Sequence, residues 1–103
     1  MIRHLVAMHF KEGTSAETKQ ALYDDLAALD SHIEGILDFQ SRSNISVEDP
    51  VVRGFRDLFW FDFRDTGVRD VYLEDAQHQA IGARIVAETE GGIDGVFVMD
   101  FEV

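Results

Sequence analysis

Along residues 2–10 one alternating set of side chains is Ile2, His4, Val6, Met8 and Phe10, and the intervening set includes Leu5 and Ala7, so a strand here carries apolar side chains on both faces. Residues 56–63 repeat the pattern, with Asp57, Phe59, Phe61 and Phe63 on one face and Leu58, Trp60 and Asp62 on the other. The closing Val96-Phe97-Val98-Met99-Asp100-Phe101-Glu102-Val103 reads as a further strand. A sheet built from such strands has two greasy faces to cover. That demand limits the fold more than any other feature of the chain.

Helices are available for one of those faces. Lys11-Glu12-Gly13 turns the chain, and Thr14-Ser15-Ala16-Glu17 reads as a capping box in which Thr14 and Glu17 satisfy each other's free amides. Leu22, Leu26, Leu29 and Ile33 then fall on one helical stripe, and Gly35 ends the helix. Ile36 to Arg42 forms the most polar strand, placed at a sheet edge. Ser43 to Gly54 holds Asn44, Ser46, Asp49 and Pro50, a composition for an exposed connection. A second helical region starts near Asp65 or Thr66, breaks around Glu74-Asp75 and resumes with His78, Ile81, Gly82 and Ile85 on one stripe. Gly91-Gly92 stops it.

The order strand, helix, strand, strand, helix, strand predicts an α+β fold, the ferredoxin-like βαββαβ sandwich with a four-stranded antiparallel sheet and two helices on one face. At 103 residues and 46% hydrophobic, the chain fits a single domain over 1–103 with one modest core. Two helices cover only one sheet face, which leaves Val6, Met8, Phe59 and Phe61, or their opposite set, without cover. A second copy laid face to face closes that gap, so the expected assembly is a homodimer.

Twenty acidic against nine basic residues give a net charge of -11, which argues against nucleic acid and anionic membranes as partners. With no cysteine there is no disulfide, thiolate nucleophile or sulfur-built zinc site. The opening residues do not read as a signal peptide, so the expected location is cytoplasmic. No phosphate-binding glycine loop, dinucleotide fingerprint or serine nucleophile elbow occurs, and no cofactor is expected.

The candidate chemistry rests on histidines that interrupt apolar stripes. Read as parallel neighbours, strands one and three begin at the same end, which sets Asp57 beside His4 on the face that also holds Val6, Met8, Phe59 and Phe61. A carboxylate there would fix the tautomer of the imidazole for acid-base work. His78, with Ile81 and Ile85, faces the same cleft, and Tyr72 supplies a donor for an oxyanion. The competing reading makes His4 a packed, hydrogen-bonded core residue and pairs Asp57 with Arg56 or Arg3. Two histidines and a carboxylate also form an iron ligand set, but no local spacing aims them at one point, so no metal is expected. Asp24-Asp25, Glu48-Asp49 and Asp62 with Asp65 read as solvated charges, and His9 and His32 as surface residues.

These segments together resemble the stress-responsive A/B barrel (Dabb) domain family of the dimeric α+β barrel superfamily. The resemblance is carried by Ile2-Arg3-His4-Leu5-Val6 with Phe10-Lys11 and Gly13-Thr14, by Arg42-Ser43-Asn44-Ile45-Ser46, by Tyr72-Leu73-Glu74-Asp75-Ala76-Gln77-His78-Gln79-Ala80 and by the last strand. It implies a homodimer whose sheets face each other, each subunit keeping a cleft between sheet and helices. Most members have no assigned reaction, and a few are polyketide cyclases that use histidines and tyrosines in that cleft. Position by position, the family's residues fall on His4, Tyr72 and His78. The chain departs from the pattern at Phe55-Arg56-Asp57, where many members have tyrosine-threonine-histidine, at Glu34 in place of a proline, and at Asp75-Ala76 in place of histidine-proline. Two functions follow as expectations. One is binding of a small apolar or aromatic molecule against Val6, Met8, Phe59, Phe61 and Ile81; the other is a cofactor-free enzyme, polyketide cyclase-like or monooxygenase-like, with acid-base catalysis by His4, Asp57, Tyr72 and His78.

Overall fold

The computed structural model describes all 103 residues. Its elements are β1 (Ile2–Met8), α1 (Ala16–Ala27, extended by a 3-10 turn over Ala28–Ser31), β2 (Ile36–Ser43), α2 (Asp49–Val52), β3 (Asp57–Phe63), α3 (Thr66–Glu74), α4 (Ala76–Glu88), a 3-10 turn over Gly92–Gly95, and β4 (Val96–Glu102). The strands form one sheet in the order β2-β3-β1-β4, with every neighbouring pair antiparallel. This is the ferredoxin-like α+β fold. β2 is an edge strand, as its polarity predicts, and β4 is the other edge.

Local chemistry explains where the helices begin and end. The N-cap of α1 is Ser15, whose hydroxyl accepts from the Thr18 amide at 3.1 Å; Thr14 instead donates its hydroxyl to the Lys11 carbonyl at 2.8 Å. The capping box expected at Thr14 and Glu17 is therefore one residue out of register, because Ser15 and Thr18 also offer hydroxyls at the cap spacing. Leu22, Leu26, Leu29 and Ile33 are all buried. Gly35 reverses the chain with φ +97, and a Cβ on it would lie 2.4 Å from Val68 Cγ2, so only glycine lets β2 start this close to α3. Asp75 is the break between α3 and α4. It leaves the helix in an extended conformation, and its carboxylate accepts from the His78 amide at 2.9 Å to cap α4.

The two faces of the sheet differ. Ile2, Val6 and Met8 on β1 and Phe59, Phe61 and Phe63 on β3 lie under the helices and are buried in one core with Tyr72, Leu26, Ile81 and Ile85. Phe61 and Phe63 stack at 5.5 Å with their planes 8° apart, and Tyr72 packs on both. Of the two sets that could lie bare, Val6, Met8, Phe59 and Phe61 are the covered one. The open face carries Leu5, Ala7, Leu58 and Trp60, joined by half-exposed Phe97, Met99 and Phe101 of β4. Asp62 is not a solvated charge here: it is buried on the outer face in a two-pronged pair with Arg3 at 2.8 and 3.1 Å. The Arg3 and Arg42 guanidinium groups flank the Trp60 ring at 5.2 and 5.4 Å. No helix is long and apolar enough to cross a membrane.

Candidate functional site

Antiparallel pairing decides which polar groups meet. His4 is opposite Phe61 on β3 and Asp100 on β4, whereas Asp57 is opposite Met8, at the other end of β1. The expected His4–Asp57 neighbourhood rested on parallel strands and does not form. Asp57 instead pairs with Lys19 of α1 at 3.0 Å. The carboxylate at His4 is Asp100, with its Oδ1 at 2.6 Å from His4 Nδ1.

Because a carboxylate only accepts, the short contact puts the His4 proton on Nδ1 and leaves Nε2 as the lone-pair nitrogen. Burial lowers the His4 pKa, and the hydrogen bond and charge of Asp100 oppose that without overcoming it. The ring is neutral at pH 7. Arg69 of α3 reaches the second Asp100 oxygen at 3.4 Å, which anchors the carboxylate from the far side. The arrangement is an oriented imidazole with a basic nitrogen to spare.

Tyr72 and His78 complete the cluster. The Tyr72 ring meets His4 edge-on at 5.3 Å between centroids and lies 3.8 Å from the His78 ring. Tyr72 is held by burial, reinforced by the charge of Asp100, well above the ordinary phenol range, so its hydroxyl is a proton donor at every physiological pH. The His78 pKa is lowered, first by burial and next by the nearby His4, while Asp75 acts the other way. Its Nδ1 is sealed from solvent with no hydrogen-bond partner. The Asp75 cap of α4 and the end of α3 thus set His78 and Tyr72 on either side of one helix break.

These three side chains line a cleft of about 350 Å³ between sheet and helices, walled by aliphatic groups from α4 and β4 together with Val6 and Phe59. Of the residues expected to hold a ligand, Val6 and Phe59 line it. Met8, Phe61 and Ile81 do not: they are buried in the core behind it, since the stripe of α4 that faces the cleft is Gly82, Ile85 and Val86. The sequence reading missed Asp100, Arg69 and the wall from β4. An acid in the middle of the apolar run 96–101 was the available signal, and it needed the β1–β4 register to be interpreted. No group of three or more His, Asp or Glu side chains converges as a metal site.

The comparisons with known proteins agree with this architecture. Residues 2–103 match the family model described as the Stress Responsive A/B Barrel Domain, or Dabb. Among solved structures, a dimeric ferredoxin-like protein of unknown function from Jannaschia sp. CCS1 is 25% identical, with 99% of this chain and 98% of that chain covered and a TM-score of 0.87. A protein from Arabidopsis thaliana is 22% identical over 100% of this chain and 95% of that one, with a TM-score of 0.86. A hydroxynitrile lyase from Passiflora edulis shares the fold at 13% identity, covering 99% of this chain and 92% of that one, with a TM-score of 0.78. No curated protein matches the chain by sequence. With the family model spanning the strands, the helix break and the strand that supplies Asp100, the chain belongs to the stress-responsive A/B barrel (Dabb) domain family.

Proposed function

We propose that the chain works as a cytoplasmic homodimer, outer sheet face against outer sheet face, and that each copy binds one small apolar or aromatic molecule in its cleft. The ligand carries a hydroxyl or carbonyl oxygen that meets Tyr72, His78 and His4. The observation that carries this reading is the ring-to-ring cluster of these three side chains in a cleft with otherwise aliphatic and aromatic walls. The dimer is supported by the apolar outer face and by relatives described as dimeric. Titrating the protein with phenols, quinones and polyketide mimics, read by melting temperature, tests the binding. A cognate compound at 100 times its Kd adds about 2.7 kcal/mol of stability, and Tyr72→Phe reduces the gain. If no such compound shifts the melting temperature, the binding reading falls. Leu5→Asp on the outer face should give monomers in sedimentation, and a wild-type protein that is monomeric at micromolar concentration overturns the dimer.

A second reading, cofactor-free acid-base catalysis, is favoured by the His4–Asp100 contact. His4 Nε2 would take a proton from a hydroxyl or from a carbon beside a carbonyl, Asp100 would stabilise the imidazolium so formed, and Tyr72 would donate to the developing oxyanion. Asp57, the carboxylate first expected in this role, has no part in it. Asp100→Asn and His4→Ala should then abolish turnover of a ligand that both the wild type and the Asn variant still bind; conversion unaffected by either change rejects this chemistry.

A further inference from the structure

The connection from β2 to α2 holds the two most exposed large hydrophobic side chains of the chain, Ile45 at 88% and Val47 at 92%. It is nevertheless braced. The Asn44 side-chain amide donates to the Phe55 carbonyl at 2.9 Å, the Asn44 side-chain oxygen accepts from the Ser46 amide at 3.0 Å, and the Ser46 hydroxyl accepts from the Glu48 amide at 3.1 Å. The Arg56 guanidinium donates to the Ser46 carbonyl at 2.6 Å and to the Asn44 carbonyl at 3.3 Å, and it pairs with Asp49. Asn44 and Ser46 are turned inward by these bonds, and the alternating Ile45 and Val47 point away from the subunit. Two aliphatic side chains are thus held at fixed positions, with the ordering cost of the segment already met inside the subunit.

The place of this segment identifies what covers it. Asn44, Ser46 and Val52 wall a groove of about 420 Å³ whose floor is Ala7, Leu58 and Phe97 of the outer sheet face. The segment is therefore continuous with the face left for a second copy, on the opposite side of the sheet from the cleft. When two such sheets meet face to face, a two-fold axis parallel to the strands sets the β2 edge of each copy against the β4 edge of the other. That axis keeps the strand ends in place, and Ser43, Asp57, Met8 and Val96 share one row across the sheet. The end of β2 in one copy then comes level with the start of β4 in the other. We propose that residues 44–47 form an arm that packs Ile45 and Val47 on the β4 edge of the second copy, around the half-exposed Phe97 of the partner subunit. This inference rests on the dimer reading above and names the contact that locks it.

Sedimentation of a dilution series tests it, comparing the wild type with the double variant Ile45→Ser, Val47→Ser. Both positions lie outside the core, so the circular dichroism spectrum should be unchanged while the dimer Kd rises about a hundredfold or more. The native chain has no cysteine, which makes disulfide trapping a second reading that covers the case of a serine variant that does not fold. Ile45→Cys chains mixed with Phe97→Cys chains should form a mixed disulfide under mild oxidation faster than either variant alone forms its own. A wild-type Kd in the double serine variant, or no preference for the mixed disulfide, overturns this inference while the dimer stands. Loss of a higher assembly with the pair intact would mean that the arm joins one dimer to the next, which also overturns it. A wild type that is monomeric at micromolar concentration overturns both readings.

Discussion

The layer between sheet and helices has a polar intrusion at each end, and the two are built differently. At the Met8 end, Asp57 and Lys19 close on each other at 3.0 Å, and the lysine also sits over the Phe10 ring at 5.2 Å. At the His4 end, about 13 Å away along β1, short rigid side chains meet ring to ring, and Asp100 is held between His4 and Arg69. Each end keeps a protonated phenol, Tyr23 near Asp57 and Tyr72 beside His4, and the Tyr23 hydroxyl and His78 Nδ1 are both buried without a partner. The first end spends its charges on itself. The second gathers three rings, His4, Tyr72 and His78, along the wall of one cleft.

The largest effect should come from the wall the two ends share. Phe61 is fully buried and packs against Phe39, Phe59, Phe63 and Tyr72. Phe61→Ala should cost about 3–5 kcal/mol in urea unfolding and loosen both ends together; a loss under about 1 kcal/mol would show that the ends do not share a core. Next, the ends should separate. Asp57→Ala should cost about 1 kcal/mol and leave ligand affinity untouched, whereas Asp100→Ala should cost a similar amount and weaken ligand binding at least tenfold. Equal ligand effects from both substitutions would erase the distinction.

A smaller effect concerns pH. The unfolded histidines titrate near 6.5, and both His4 and His78 are lowered in the folded state. Below pH 6.5 the unfolded chain therefore binds more protons than the folded one, so stability falls as the pH drops from 6.5 through the lowered folded values. Melting temperature should decline from pH 7 to pH 5.5, and His4→Gln should flatten the decline. A melting temperature that rises on acidification over this range would contradict the neutral, buried histidines.

Much of the fold was legible because it depends on local pattern. Alternation in 2–8 and 57–63, the leucine stripe of α1, the glycines at 35 and 91–92 and the break at Asp75 all place themselves within a few residues of chain. The errors sit where a choice depends on contacts far away in sequence. Asp57 and Asp100 are both acids in apolar strands, and only the strand directions decide which one faces His4. Asp62 looks solvated until Arg3, 59 residues away, is brought beside it. Met8, Phe61 and Ile81 share their periodicity with the cleft residues, and burial depth, which periodicity does not encode, separates the two groups. His4, Tyr72 and His78 were legible because titratable groups on apolar stripes stand out without any knowledge of register.

The most direct test uses the four histidines as internal controls, two in the cleft and two outside it. Long-range nitrogen–proton NMR spectra of the imidazoles, recorded at pH 7 with and without a phenol that raises the melting temperature, read tautomer and ligand contact together. The account predicts a neutral His4 with its proton on Nδ1, and ligand-induced shifts at His4 and His78 while His9 and His32 stay fixed. A His4 protonated on Nε2, or ligand binding that leaves the His4 and His78 resonances where they were, would contradict it.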